Sequence, residues 1–159
     1  MIKVGDTIPS IKLTQATADG PRAVTTDEIF GGRKVVLFAV PGAFTPTCSE
    51  RHLPGFLENA EAFRAKGIDA VACIAVNDAF VMRAWAKDRA VDDRIIMLAD
   101  GSADFASALG LQLDLMGRGM GIRSQRYALV ADDRKVTFLG VEEAGSFEAS
   151  RAEDVLAAL

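Results

Sequence analysis

Histidine occurs once in this chain and cysteine twice, and these scarcities exclude more than any abundance does. Two cysteines cannot build a disulfide framework, so a reducing compartment is expected, with the cytoplasm as the default location. An organellar location after removal of a transit peptide stays open as the alternative. One histidine beside two cysteines makes a poor metal site, and no metal or cofactor is expected. No apolar run approaches the ~20 residues needed to cross a bilayer, and Met1-Ile2-Lys3-Val4-Gly5-Asp6 carries no apolar signal segment, so neither membrane insertion nor secretion is expected. The 18 Lys and Arg are outnumbered by 22 Asp and Glu, for a net charge of −4. No basic surface follows from that balance, and nucleic acid and anionic membranes are not expected partners.

Further absences narrow the chemistry. There is no internal repeat, low-complexity segment or linker, and 159 residues fit one domain spanning 1–159. No C-x-x-C pair exists: Cys48 is followed by Ser49, Glu50 and Arg51, so a general thiol–disulfide oxidoreductase would lack its second sulfur. Gly117, Gly119 and Gly121 miss the G-x-G-x-x-G spacing and do not lie between a strand and a helix start, so no nucleotide site is expected. They read instead as a flexible connection.

What is present alternates strand and helix patterns. Lys34 to Val40 is a continuous apolar, β-branched run, the pattern of a strand covered on both faces. Ala70 to Val76 reads the same way, and Ile95 to Leu98 is a shorter third run. An edge segment is expected at Ile8 to Leu13, followed by a polar turn over Ala16 to Thr26. Leu53, Phe56, Leu57, Ala60 and Phe63 mark one face of a long helix starting near Thr45. Pro54 should kink it or restart it, and Lys66-Gly67 should close it. Further helices are predicted at about Asp78 to Arg89, Ala103 to Leu109 and Ala152 to Leu159. Residues 126–131 and 135–141 flank Asp132-Asp133-Arg134, a hairpin signal. This order predicts an α/β fold with a central mixed sheet flanked by helices.

Pro41 to Phe56 carries the chemistry. Pro41-Gly42 breaks the strand, and Thr45-Pro46 is a helix-start signal in which a hydroxyl can cap and a proline needs no N–H partner. A thiol at Cys48 then sits in the first turn, among unpaired N–H groups and the positive end of the helix dipole. Both favour thiolate over thiol.

The run Pro41-x-x-x-Thr45-x-x-Cys48 resembles the active-site signature of the peroxiredoxins. With PGAFTP ahead of the cysteine and HLPGF behind it, the chain is similar to the type II, peroxiredoxin 5-like, subfamily. The likeness continues at Val71-Ala72-Cys73, Val76 to Val81, Leu98 to Gly101, Gly121 to Tyr127 and Val141-Glu142. It implies a thioredoxin-like fold and an antioxidant, thiol-dependent peroxidase acting in cell redox homeostasis. Hydrogen peroxide and organic hydroperoxides would oxidise Cys48 to a sulfenic acid. Glutathione, glutaredoxin or thioredoxin would reset it, and a homodimer pairing around the active site is the implied assembly.

The chemistry needs a thiolate, a donor that orients the peroxide, and positive charge. Thr45, one helical turn before Cys48, is the expected donor, and Pro41 the shielding wall. Arg126 opens the apolar stretch Tyr127 to Val130 and is the expected charge partner, because its fork can hold sulfur and peroxide together. Arg123 is the second candidate for that role. Both arginines have the alternative reading of solvated loop charges.

His52, four residues after Cys48, presents a Cys/His pair as an alternative. The motif carries a histidine there without using it as a base, so His52 reads as a neighbour of the site. Cys73 lies in a predicted central strand and reads as an inert core residue; a resolving cysteine is its alternative. Some type II relatives carry a resolving cysteine near the C-terminus, whereas Gly145 to Ser150 has none. A one-cysteine cycle follows. Phe44 and Phe80 are read as pocket, dimer contact or core. A peroxide-sensing relay or binding module is the alternative function, because its first oxidation step is the same.

Overall fold

The computed structural model describes residues 1–159 except for the side chain of Cys48. In chain order the strands are β1 (Lys12–Thr17), β2 (Gly20–Thr25), β3 (Lys34–Val40), β4 (Ala70–Ala75), β5 (Ile96–Ala99), β6 (Gln112–Leu115), β7 (Gly121–Ser124), β8 (Tyr127–Asp132) and β9 (Lys135–Val141). The helices are α1 (Thr26–Phe30), α2 (Leu53–Glu58), α3 (Ala60–Ala65), α4 (Ala79–Asp88), α5 (Asp104–Leu109) and α6 (Ala152–Ala157). Seven strands form one sheet in the order β2-β1-β5-β4-β3-β8-β9, and β6 and β7 form a separate pair. β3 runs parallel to β4 and antiparallel to β8, so the sheet is mixed.

The two apolar runs become its centre for the expected reason. β3 is buried from Val35 to Val40 and β4 from Val71 to Ala75, because both faces are covered. One face packs Phe38, Val40 and Cys73 against Leu53, Phe56, Phe63, Met82, Trp85 and Val155, from α2, α3, α4 and α6. The other packs Leu37, Ala39 and Ile74 against Ile29, Phe30, Phe105 and Leu109, from α1 and α5. Each large side chain removed from water in this way contributes about 1.5–3 kcal/mol. Phe38 stacks on Phe56 at 4.1 Å between ring centroids, and Phe56 on Phe63 at 5.5 Å, which pins the helix after Cys48 to the central strand.

Two expectations are corrected. Ala16 to Thr26 is not a turn: it holds the end of β1, all of β2 and the start of α1. Of the six residues of β2 only Val24 is buried, so an edge strand with almost no apolar signal looked like a loop. The glycine-rich stretch is likewise flanked by the β6–β7 pair, with a 3-10 turn at Met116–Arg118. Pro54 restarts the helix, as expected. The turn before it, Cys48–His52, is a π turn, and Pro54 occupies the first turn of α2. Proline cannot donate to the carbonyl four residues back and its ring crowds that carbonyl, so the preceding turn widens.

Candidate active site

The loop leaving β3 is held from three sides. The Thr45 hydroxyl donates to the Gly42 carbonyl at 2.7 Å, and the Ser49 N–H donates to the Thr45 carbonyl at 2.9 Å. The hydroxyl thus closes the loop that leads into the helix. The Ala43 N–H donates to Asn77 Oδ1 at 2.9 Å, which ties the loop to the one following β4. Arg123 Nη1 donates to the carbonyls of Pro41 and Val76, each at 3.4 Å, while Nε donates to Met120 at 2.8 Å. Arg123 therefore braces the loop through carbonyls and is not a solvated charge. A Cβ at Gly42 would meet Arg123 Nη1 at 3.0 Å and the Thr45 methyl at 3.3 Å, so both side chains pack closely on the loop.

Arg126 comes to the site through strand pairing. Ala39 faces Tyr127 across β3 and β8, which places Arg126 beside the end of β3. Its Nη1 lies 3.0 Å from His52 Nδ1, one turn beyond Cys48. A guanidinium can only donate, so Nδ1 carries a lone pair and the ring proton sits on Nε2. Nε2 then donates to the Ser150 carbonyl at 2.9 Å. His52 is 1% exposed. Burial first, and the Arg126 charge second, push its pKa down from 6.5 to about 3, against the opposing pull of Ser150 and Glu142. A neutral imidazole with both nitrogens engaged is no general base for a thiol. It is an acceptor that anchors an arginine, as a neighbour reading requires.

Beyond His52 lies a cluster with no warning in the sequence. Glu142 accepts from the N–H groups of Glu148, Ala149 and Ser150 and from the Ser150 hydroxyl, at 2.7–3.0 Å. Burial pushes its pKa up, but those donors outweigh it and hold the carboxyl below its ordinary value. Phe147 stacks beneath the Arg51 guanidinium at 4.6 Å, lies 5.9 Å from that of Arg126 and meets the His52 ring edge-on at 5.2 Å. The Val141-Glu142 pair was part of the resemblance, but nothing in spacing assigned it a task.

The remaining expectations fall into place around this centre. Cys48 opens the π turn; its sulfur, and so its expected contacts with Thr45 and Arg126, lie outside the described residues. Cys73 is fully buried in mid-β4, opposite Phe38 on one side and Met97 on the other. That matches the core reading. Phe44 and Phe80 are 51% and 70% exposed, which rules out core packing for both. No described helix is long and apolar enough to cross a membrane.

A mixed sheet with a cysteine at the helix start after its central strand, and an anchored arginine one turn along, defines a thiol-based redox protein. The chain matches the Redoxin family over residues 3–156. It is 50% identical over 163 residues to the chloroplastic peroxiredoxin-2E of Arabidopsis thaliana, covering 99% of this chain and 69% of that protein. It is 49% identical to peroxiredoxin-2C of Oryza sativa subsp. japonica, covering 99% and 98%. The structure of reduced Prx3 in complex with hydrogen peroxide from Vibrio vulnificus superposes with a TM-score of 0.95 at 53% identity, covering 99% of each chain. The chain belongs to the type II peroxiredoxins, thiol-dependent peroxidases with the thioredoxin-like fold. The alternative of a sensing or binding module is not favoured.

Proposed function

We propose that Cys48 is the reacting thiol, that Thr45 and Arg126 orient and polarise the hydroperoxide, and that Pro41 shields the sulfur from water. The thiolate attacks the terminal peroxide oxygen, the O–O bond breaks, and water or an alcohol leaves with a proton. Sulfur is oxidised to the sulfenic acid as the peroxide is reduced. The observation that carries this reading is the Arg126–His52 hydrogen bond of 3.0 Å, which holds a cation one turn from Cys48. Such a cation favours thiolate and stabilises charge developing on the leaving oxygen.

Burial of Cys73 supports a one-cysteine cycle. An outside thiol condenses with the sulfenic acid, releasing water, and a second thiol reduces the mixed disulfide. Glutathione, glutaredoxin or thioredoxin supplies these equivalents, hydrogen peroxide and organic hydroperoxides are the substrates, and the cytoplasm is the proposed location. The protein works as one domain over residues 1–159. Exposed Phe44, Phe80 and Ile122 stand on segments tied together by the Ala43–Asn77 and Arg123–Pro41 hydrogen bonds. This apolar face supports a homodimer that pairs beside the active site. Cys48→Ser is expected to abolish peroxide consumption with every thiol reductant, and retained consumption would end the proposal. Phe80→Asp is expected to convert a dimer to a monomer in light scattering; a monomeric parent would reject the pairing.

A further inference from the structure

Arg126 is held at both ends of its residue by one acidic side chain's surroundings. Its carbonyl accepts from the Glu142 N–H at 2.9 Å, and its guanidinium donates to His52. His52 is in turn fixed by the Ser150 carbonyl, and Ser150 gives both its N–H and its hydroxyl to Glu142 Oε2, each at 2.7 Å. The ring closes on itself: Glu142, Ser150, His52, Arg126 and back to Glu142. Gly140 lets the segment come this close, since a Cβ there would overlap the Ala149 carbonyl oxygen.

We infer that Glu142 and Ser150 are positioning residues for the peroxidase reaction, acting on Arg126 through His52. A carboxylate that gathers four donors fixes where the Ser150 carbonyl points. That carbonyl decides which imidazole nitrogen carries the proton, as an acceptor on one nitrogen does for the other. Only with the proton on Nε2 does Nδ1 accept from the guanidinium, and a mobile guanidinium holds neither thiolate nor peroxide well. The Arg51 guanidinium is engaged differently, stacking on the Phe147 ring at 4.6 Å.

The inference rests on the proposed role of Arg126, and the test separates the two. Stopped-flow rate constants for hydrogen peroxide, and the Cys48 thiol pKa from thiolate absorbance, are measured for the wild type, Glu142→Gln, Ser150→Ala, Arg126→Met and the double variant Glu142→Gln/Arg126→Met. Glu142→Gln and Ser150→Ala are expected to slow oxidation about 10- to 100-fold and to raise the thiol pKa. Glu142→Gln is expected to add less than about twofold when Arg126 is already Met, the non-additivity of groups that act as a unit. His52→Asn, whose Oδ1 can still accept from the guanidinium, is expected to retain more activity than His52→Leu.

If Arg126→Met is slow but Glu142→Gln and Ser150→Ala match the wild type in rate and thiol pKa, the positioning role is wrong and the proposed function stands. If Glu142→Gln costs as much without Arg126 as with it, the cluster is merely structural. If Arg126→Met leaves the rate unchanged, both readings fall. Should Glu142→Gln not fold, Ser150→Ala, which keeps the backbone donors, carries the comparison.

Discussion

His52 Nδ1 accepts a hydrogen bond from Arg126 Nη1 at 3.0 Å, a contact that exists only while the imidazole is neutral. Protonation would turn the acceptor into a donor aimed at a cation.

The first prediction is therefore a pH dependence of stability. The folded pKa is near 3 against an ordinary 6.5, so between these values the unfolded chain binds a proton that the folded chain refuses. The contribution is fully present above pH 6.5 and is lost as pH falls towards 3. Burial and the Arg126 charge press in this direction, and the Ser150 carbonyl and Glu142 oppose it. Urea unfolding at pH 7 and pH 4 should show a smaller loss for His52→Asn than for the wild type. Parallel losses would contradict the neutral assignment.

Cys73 should be dispensable for chemistry. It is fully buried in β4, and exposing it would open the middle of the sheet. Cys73→Ala should leave peroxide turnover unchanged while costing about 1 kcal/mol of stability through lost packing. Intact mass after one equivalent of peroxide should show oxidation or a mixed disulfide at Cys48 in both forms. A loss of two protons that requires Cys73 would make it a resolving cysteine instead.

Ser49, next to Cys48, accepts from the Trp85 indole N–H at 2.9 Å, and both side chains are buried. Ser49→Ala leaves that donor without its acceptor, at a cost of about 1–3 kcal/mol. Trp85 is the only tryptophan, so its fluorescence reports the change directly. An unchanged unfolding midpoint and spectrum would refute the assigned bond.

Gly140→Ala should displace the segment carrying Ser150, because the added methyl meets backbone rather than a flexible side chain. Overpacking of this kind costs about 1–3 kcal/mol. The thermal midpoint and the peroxide rate should fall together. A stable, fully active variant would show that the close approach is not required.

What was legible in the sequence follows from the range of the interactions. β3 and β4 are readable because burial on both faces leaves each a continuous apolar run, and Asp133-Arg134 marks the β8–β9 hairpin with two residues at positive φ, 46° and 70°. Cys48, Thr45 and Pro41 lie within eight residues of one another, so a short motif could name them. Arg126 required a strand prediction and a resemblance. β2 escaped because an edge strand needs only one inward residue. The Glu142 cluster escaped because His52 and Ser150 are 98 residues apart, and no local pattern encodes a contact made by the sheet bringing distant ends together.

The central claim, that Cys48 is a peroxide-reactive thiolate held by Arg126, is tested most directly by stopped-flow oxidation of the reduced wild type beside Arg126→Met. The account predicts a wild-type rate constant far above that of an ordinary thiol, falling at least about 100-fold in the variant, with Cys48→Ser showing no reaction. A wild-type rate no greater than that of an ordinary thiol, or one indifferent to Arg126, would contradict it.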